Sequence, residues 1–382
     1  MNYGKFCKIW WSCVLVGIIL MSIMLVAVDP IGLFGTSKIN GFNHFKAKEG
    51  SYLEVYKPYQ FARTDAKVVM IGNSRVYVGM QATLNGYKDE EVYNLGCSNL
   101  SLKNAEYFLD YVYATKNPEI VLLGLDFFQF SKENYESRSP GFSLQRLKNL
   151  AIASDTQIKA EAFKDSFYIF GTVIPTLKES MKNKDEESIF VRGWHSQWGS
   201  ARSINKGGFY SELNTNIVRY GSFDIDERAF MTLERIAEKS KQKGVKLYVF
   251  FNPLECDLRS MIYSLELNDD MNNVKTRATN IFGKVYDFSF VNAMTTSRND
   301  YLDASHYNDS IGEKVKSSIL ADKDSDICLI LNPDNVEKML SKEDAAYYKW
   351  SEANKEYVEE LAKKTRAREK IVEGEFDKYF EL

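Results

Sequence analysis

Apolar and polar positions along this chain fall into three regimes. From Ile9 to Val28 the sequence reads IWWSCVLVGIILMSIMLVAV, with no charge and no proline. A run of that length matches the ~20 residues a helix needs to cross the hydrocarbon core of a bilayer. It is apolar all round rather than along one stripe, unlike a surface helix of a soluble domain. Short apolar runs come later, each followed by a turn signal: 67–71 (KVVMI), 91–95 (EVYNL), 120–125 (IVLLGL), 245–251 (VKLYVFF) and 285–288 (VYDF). Near-continuous runs of this kind predict strands buried on both faces. Helical periodicity fills the gaps. Residues 101–115 start at a serine cap, Ser98 or Ser101. Residues 224–243 open acidic, close basic and precede Gly244, and 308–320 form a shorter helix. Alternating strands and helices predict a parallel α/β sheet, and right-handed crossovers make it doubly wound.

Three stretches interrupt that rhythm. Residues 30–64 lack clean periodicity and read as a connector. Residues 131–223 are too long for a plain crossover and read as an insertion, a lid or subdomain. The charged tail 321–382 carries Glu and Lys at i,i+4 between 341 and 373, with Ala346, Trp350, Ala353, Tyr357 and Leu361 as an apolar stripe. That pattern predicts an amphipathic helix packed on its own domain rather than on a partner. The expected organisation is a tip and transmembrane anchor over 1–29, the connector, an α/β domain over 65–320, and the helical tail.

Composition and charge then limit the function. The 382 residues carry 49 Lys+Arg against 52 Asp+Glu, a formal net charge of −3, which argues against a nucleic-acid partner. Mean hydropathy of −0.33 excludes a multi-span membrane protein. Lys5 and Lys8 precede the apolar run and Asp29 follows it, so the positive-inside bias puts the N-terminus in the cytoplasm and the main domain outside. A cleaved signal peptide is the alternative, but its apolar region usually runs ~7–15 residues, and Ala27-Val28-Asp29 is a poor cleavage site. Five widely spaced cysteines and three histidines make neither a disulfide framework nor a zinc site, so no metal and no cofactor is expected.

Two short motifs carry chemistry. Ile71-Gly72-Asn73-Ser74-Arg75 closes the first predicted strand, placing Ser74 at the carboxyl edge where open α/β sheets hold ligands. Far downstream, Asp303-Ala304-Ser305-His306 puts a carboxylate three residues before an imidazole that it can orient.

This combination resembles the SGNH hydrolase superfamily, the GDSL-like esterases, over roughly residues 67–320. The resemblance implies a flavodoxin-like fold with Ser74 as nucleophile, His306 as base and Asp303 as its partner. Asn94-Leu95-Gly96 looks like the second block of that family, which gives the Gly96 N–H an oxyanion role. The third block departs from the pattern: Gly124-Leu125-Asp126-Phe127 has Asp126 where the family has an oxyanion-donating Asn. An ionised carboxylate cannot donate a hydrogen bond, so Asp126 is either protonated, turned away onto backbone or Arg75, or the mark of an inactive site. An Asp126–Arg75 ion pair at the site's rim is the favoured expectation. The anchor and the Gly-x-Ser-Arg motif are closer to a membrane-anchored subgroup that serves O-acetylation of exopolysaccharides or D-alanylation of teichoic acids.

That resemblance implies a cell-membrane acyltransferase or esterase, with acetyl as the expected group, acting on a cell-surface polysaccharide or other envelope polymer. It also suggests an integral membrane acyl-transfer partner. The competing reading is a degenerate domain serving as a glycan-binding or assembly scaffold, and a plain carboxylesterase is a weaker third. Trp194 and Trp198 flank His195 in the insertion. They could stack on sugar rings, or simply pack the insertion onto the sheet.

Overall fold

The structure is a computed structural model that describes residues 3–137, 141–184, 186, 188–202 and 206–380. The chain forms two compact units, each assembled from separate stretches of sequence. One comprises 1–64 with 140–190, the other 65–139 with 191–382.

The second unit is α/β, built on a six-stranded sheet. Its strands are β1 (Val68–Ile71), β2 (Val92–Asn94), β3 (Ile120–Leu125), β4 (Lys246–Phe251), β5 (Val285–Asp287) and β6 (Leu329–Leu331). The spatial order is β2-β1-β3-β4-β5-β6, parallel except for the antiparallel edge strand β6. In the register, Met70 lies between Asn94 and Leu122, and Phe251 between Leu125 and Asp287. The carboxyl ends of β1, β3, β4 and β5 therefore form one edge.

Alternate strand residues serve opposite faces. Val68, Met70, Ile120, Leu122, Tyr248 and Phe250 share a core with Val76 and Met80 and with Ile311, Val315 and Ile319 of helix Asp309–Ala321. The intervening Val69, Ile71, Val121, Leu123, Val249 and Phe251 are equally buried, so the sheet is covered on both sides. Each such aliphatic side chain stabilises the fold by about 1.5–3 kcal/mol relative to exposure. Helix Asp309–Ala321 meets the short helix Ser74–Gly79 at a glycine: a Cβ on Gly312 would lie 1.9 Å from the Gly79 carbonyl oxygen.

The helices end where their local chemistry directs. Ser101 caps Leu102–Thr115, Asp226 caps Glu227–Lys243, and Gly244 closes the latter in the left-handed region at φ 65°. The tail differs from the single predicted helix. It forms Val336–Ala353 and Lys355–Phe380, separated at Asn354. The break changes the stripe: Leu340, Glu343, Tyr347 and Leu361 are buried, while Ala353 and Tyr357 are exposed. Lys355–Phe380 packs on helices Lys206–Gly221 and Cys256–Ser264 of the same unit.

The first unit changes the expected domain boundaries. Residues 30–64 do not form a bare connector, because they include helix Leu53–Ala62 and pack with 140–190. Tyr59 donates to Asp165 Oδ2 at 2.7 Å, and Asp165 also pairs with Arg146. Of the predicted insertion 131–223, residues 131–139 and 191–223 belong to the sheet unit and 140–190 to the first unit. Helix Tyr3–Val28 is long and apolar enough to span a membrane.

Candidate active site

Ser74 begins a helix directly after β1 because Asn73 caps it: the Asn73 side chain accepts from the Arg75 N–H at 3.0 Å. Gly72 makes the sharp exit feasible, since a Cβ there would meet Val76 Cγ2 at 2.4 Å. The Ser74 Oγ lies 2.8 Å from His306 Nε2, and His306 Nδ1 lies 2.8 Å from Asp303 Oδ2. Asp303 Oδ1 also accepts the backbone N–H groups of Ser305 and His306 at 2.7 and 2.8 Å. Burial works to raise the Asp303 carboxyl, but the His306 contact and these two N–H donors outweigh it and hold it below the ordinary aspartate range. The loop is locally self-organised: its carboxylate fixes its own backbone and its imidazole together.

These groups open on a cavity of about 240 Å³. Asn73, Ser74 and His306 line it with Asn99, Trp198 and Arg219. The Trp198 ring lies 5.1 Å from the His306 ring, tilted by 32°. Trp194 is elsewhere: it is buried in the sheet core and donates its indole N–H to the Val78 carbonyl at 2.8 Å. Of the two tryptophans, Trp198 alone lines the cavity, and Trp194 is a packing residue.

Arg75 and Asp126 form an ion pair, but not at the rim. Both side chains are essentially inaccessible. The Asp126 carboxylate also accepts from Asn73 Nδ2 and, at 3.0 Å, from Asn252 Nδ2. Arg75 reaches onward, donating to the Ser305 carbonyl at 2.8 Å and to the Ser305 hydroxyl at 2.9 Å. Burial pushes the Asp126 carboxyl up, while the Arg75 charge and both amide donors pull it down. Every polar side chain on that carboxylate is a donor, the surroundings suited to its ionised form. Asp126 is absent from the cavity lining, and its carboxylate oxygens are engaged by Asn73, Arg75 and Asn252. It braces Asn73 and Arg75, the two neighbours of Ser74, and through Arg75 the residue before His306.

Gly96 is also absent from the cavity lining, and its N–H donates to Asn94 Oδ1 at 2.9 Å. The oxyanion role the resemblance assigns it therefore lacks a free donor. Two other groups are better placed. The Ser74 N–H has no protein partner among the described residues. Asn99 lines the cavity from a left-handed backbone conformation at φ 48°. Its Oδ1 accepts from Asn134 at 3.0 Å, which leaves its own amide N–H groups without a partner among the described residues.

Asn99, Ser305 and Arg219 escaped the sequence reading. Ser305 lies inside the quoted Asp303–His306 motif, so position alone could have marked it. Asn252, which follows the fourth predicted strand and by position either lines the site or turns the chain before Pro253, is buried against Asp126 behind the cavity lining. Arg219 sits over the Phe128 ring at 4.7 Å, a relation that no local spacing encodes.

The described residues contain one cluster with metal-ligand atoms in reach of one another, Glu255, Cys256 and Asp257. Arg298 pairs with Asp257 and lies 3.5 Å from Glu255, and Tyr357 donates to Asp257. Those contacts make it an ion network that ties the tail to the domain.

Comparison with protein families, curated proteins and solved structures finds no match for this chain.

Proposed function

We propose that this chain is a membrane-anchored, extracytoplasmic serine acyltransferase or esterase of SGNH type, acting on a cell-surface polysaccharide with acetyl as the transferred group. The observation that carries this reading is the continuous contact from Ser74 Oγ through His306 to Asp303 at the mouth of a cavity. The strand order β2-β1-β3-β4-β5 supports a flavodoxin-like arrangement, with Ser74 after its first strand.

In this mechanism Ser74 Oγ attacks the acyl carbonyl as His306 Nε2 takes its proton. The Ser74 N–H and the Asn99 amide stabilise the tetrahedral oxyanion. The donor's leaving group departs with the proton from His306, leaving an ester on Ser74. A sugar hydroxyl or water, deprotonated by His306, attacks that ester and releases the serine. Trp198 offers a partly exposed aromatic face beside the imidazole, suited to a sugar ring.

The direct test is labelling by a fluorophosphonate, which requires an activated serine. Wild-type protein should label at Ser74, and Ser74→Ala and His306→Ala should not. Both variants should lower turnover of a small acetyl ester by about 10⁶-fold with unchanged melting. An unlabelled wild-type serine overturns the reading and favours a glycan-binding scaffold.

A further inference from the structure

We propose that residues 167–182 form a second membrane contact, lying in the headgroup layer beside the anchor helix. The inference rests on the unit made of 1–64 and 140–190 and not on the serine site.

The anchor does not pass into a loose tether. Leu25 and Val28, in its last turns, are completely buried and pack with Val173, Phe42 and Leu177. The buried Lys46 ammonium donates to the carbonyls of Val28 at 3.3 Å and of Asp29, so a positive charge sits at the carboxyl end of the helix dipole. Asp29 adopts φ 44° and accepts the N–H groups of Phe34 and Thr36, each at 3.1 Å. The exit point is thus clamped to helix Val173–Lys182.

That helix and the turn before it, Phe167–Thr172, have two contrasting sides. Ile169, Thr172, Val173, Thr176 and Ser180 point inward and are buried. Phe167, Tyr168, Phe170, Ile174 and Met181 point outward, with Tyr168 85% and Met181 62% exposed. Lys164, Lys178 and Lys182 are exposed among them. Aromatic and aliphatic side chains interleaved with lysines are the composition that settles at a bilayer surface, the rings at headgroup level and the ammonium groups reaching anionic lipid.

Position selects lipid over a protein partner. A span of ~20 residues crosses the hydrocarbon, and the apolar run from Ile9 ends at Val28. The final turn that packs against Val173 therefore lies where hydrocarbon gives way to headgroups, and the outward residues extend from that level.

The test is spin-label accessibility in the full chain, reconstituted in nanodiscs of phosphatidylcholine and phosphatidylglycerol. Cys7 and Cys13 are replaced by serine, and Cys97, Cys256 and Cys328 are buried and unreactive. Labels are placed at Tyr168→Cys and Ile174→Cys, both at exposed positions, so the fold is retained. The ratio of oxygen to nickel-chelate collisions should rise several-fold above that of a free label in buffer. Collision at the free-label ratio overturns the proposal. Shielding from both reagents overturns it equally, in favour of a protein–protein contact. Neither result touches the serine labelling above.

Discussion

Asp126 changes meaning once its neighbours are known. Read by position, a carboxylate replaces an oxyanion donor and the site looks disabled. In three dimensions the same carboxylate holds Asn73 and Arg75 on either side of Ser74 and is itself absent from the cavity lining. The two roles predict different outcomes for Asp126→Asn. A bracing role leaves Arg75 buried without its counter-charge, a loss of about 3–5 kcal/mol, so melting temperature falls and fluorophosphonate labelling slows with it. A direct oxyanion role would alter labelling at unchanged stability. For Asn99→Ala the opposite split is expected: turnover falls by about 10²–10³-fold and melting stays put. The tryptophans separate in the same manner. Trp194→Ala should cost about 3–5 kcal/mol of stability as a core truncation, whereas Trp198→Ala should leave the melt unchanged. Ser74, Asp303 and His306 could be picked out from sequence because each lies in a short motif at a strand end or helix start. Of the bracing network the Asp126–Arg75 pair was legible, though expected at the rim. Its contacts with Asn73, Asn252 and Ser305 were not, because they join the ends of β1, β3 and β4 to the His306 loop and meet only across the sheet edge.

At the level of elements, strands and helices with strong periodicity were readable to within three residues at each end, and β6 was not. It is three residues long, stands at the sheet edge, and shows no alternation that could announce it. The tail was readable as helical, but its apolar stripe was assigned without the break at Asn354. The tail helix Val336–Ala353 also brings a carboxylate into the core: Glu343 pairs with Lys275, which lies 2.6 Å from Asp287, and all three are inaccessible. Burial and the nearby Asp287 charge push the Glu343 carboxyl up to about 8, and Lys275 only partly offsets them. Its pKa is higher folded than unfolded, so between the ordinary glutamate range and about pH 8 the folded chain binds more protons. Stability contributed by this group therefore declines as pH rises through that window. Glu343→Gln should flatten the decline in melts taken from pH 5 to pH 9. Lys275→Met should instead destabilise at every pH, by about 3–5 kcal/mol, because it leaves buried carboxylate charge without its ammonium.

On the scale of the whole molecule, linear order and compact units do not coincide. The chain builds part of one unit, completes β1 to β3 of the other, returns over 140–190, and then finishes the sheet. Contacts such as Tyr59–Asp165 span more than a hundred residues, which is why 30–64 looked like a connector. Orientation is a proposal argued from two lysines, and it decides on which side of the membrane any chemistry takes place. With Lys5 and Lys8 held in the cytoplasm by the positive-inside bias, everything after Val28 would be exported. In a chain with Cys7 and Cys13 replaced by serine, a Tyr3→Cys reporter should react with an impermeant maleimide only after cells are permeabilised. Glu356→Cys, exposed in the sheet unit, should react in intact cells. The reverse pattern would invert the topology and remove the polysaccharide from reach. A cleaved leader would give a third result, a shorter product that has lost the Tyr3→Cys reporter altogether. Lys5→Glu with Lys8→Glu should raise the inverted fraction, since the positive charges that retain the tip would then be gone.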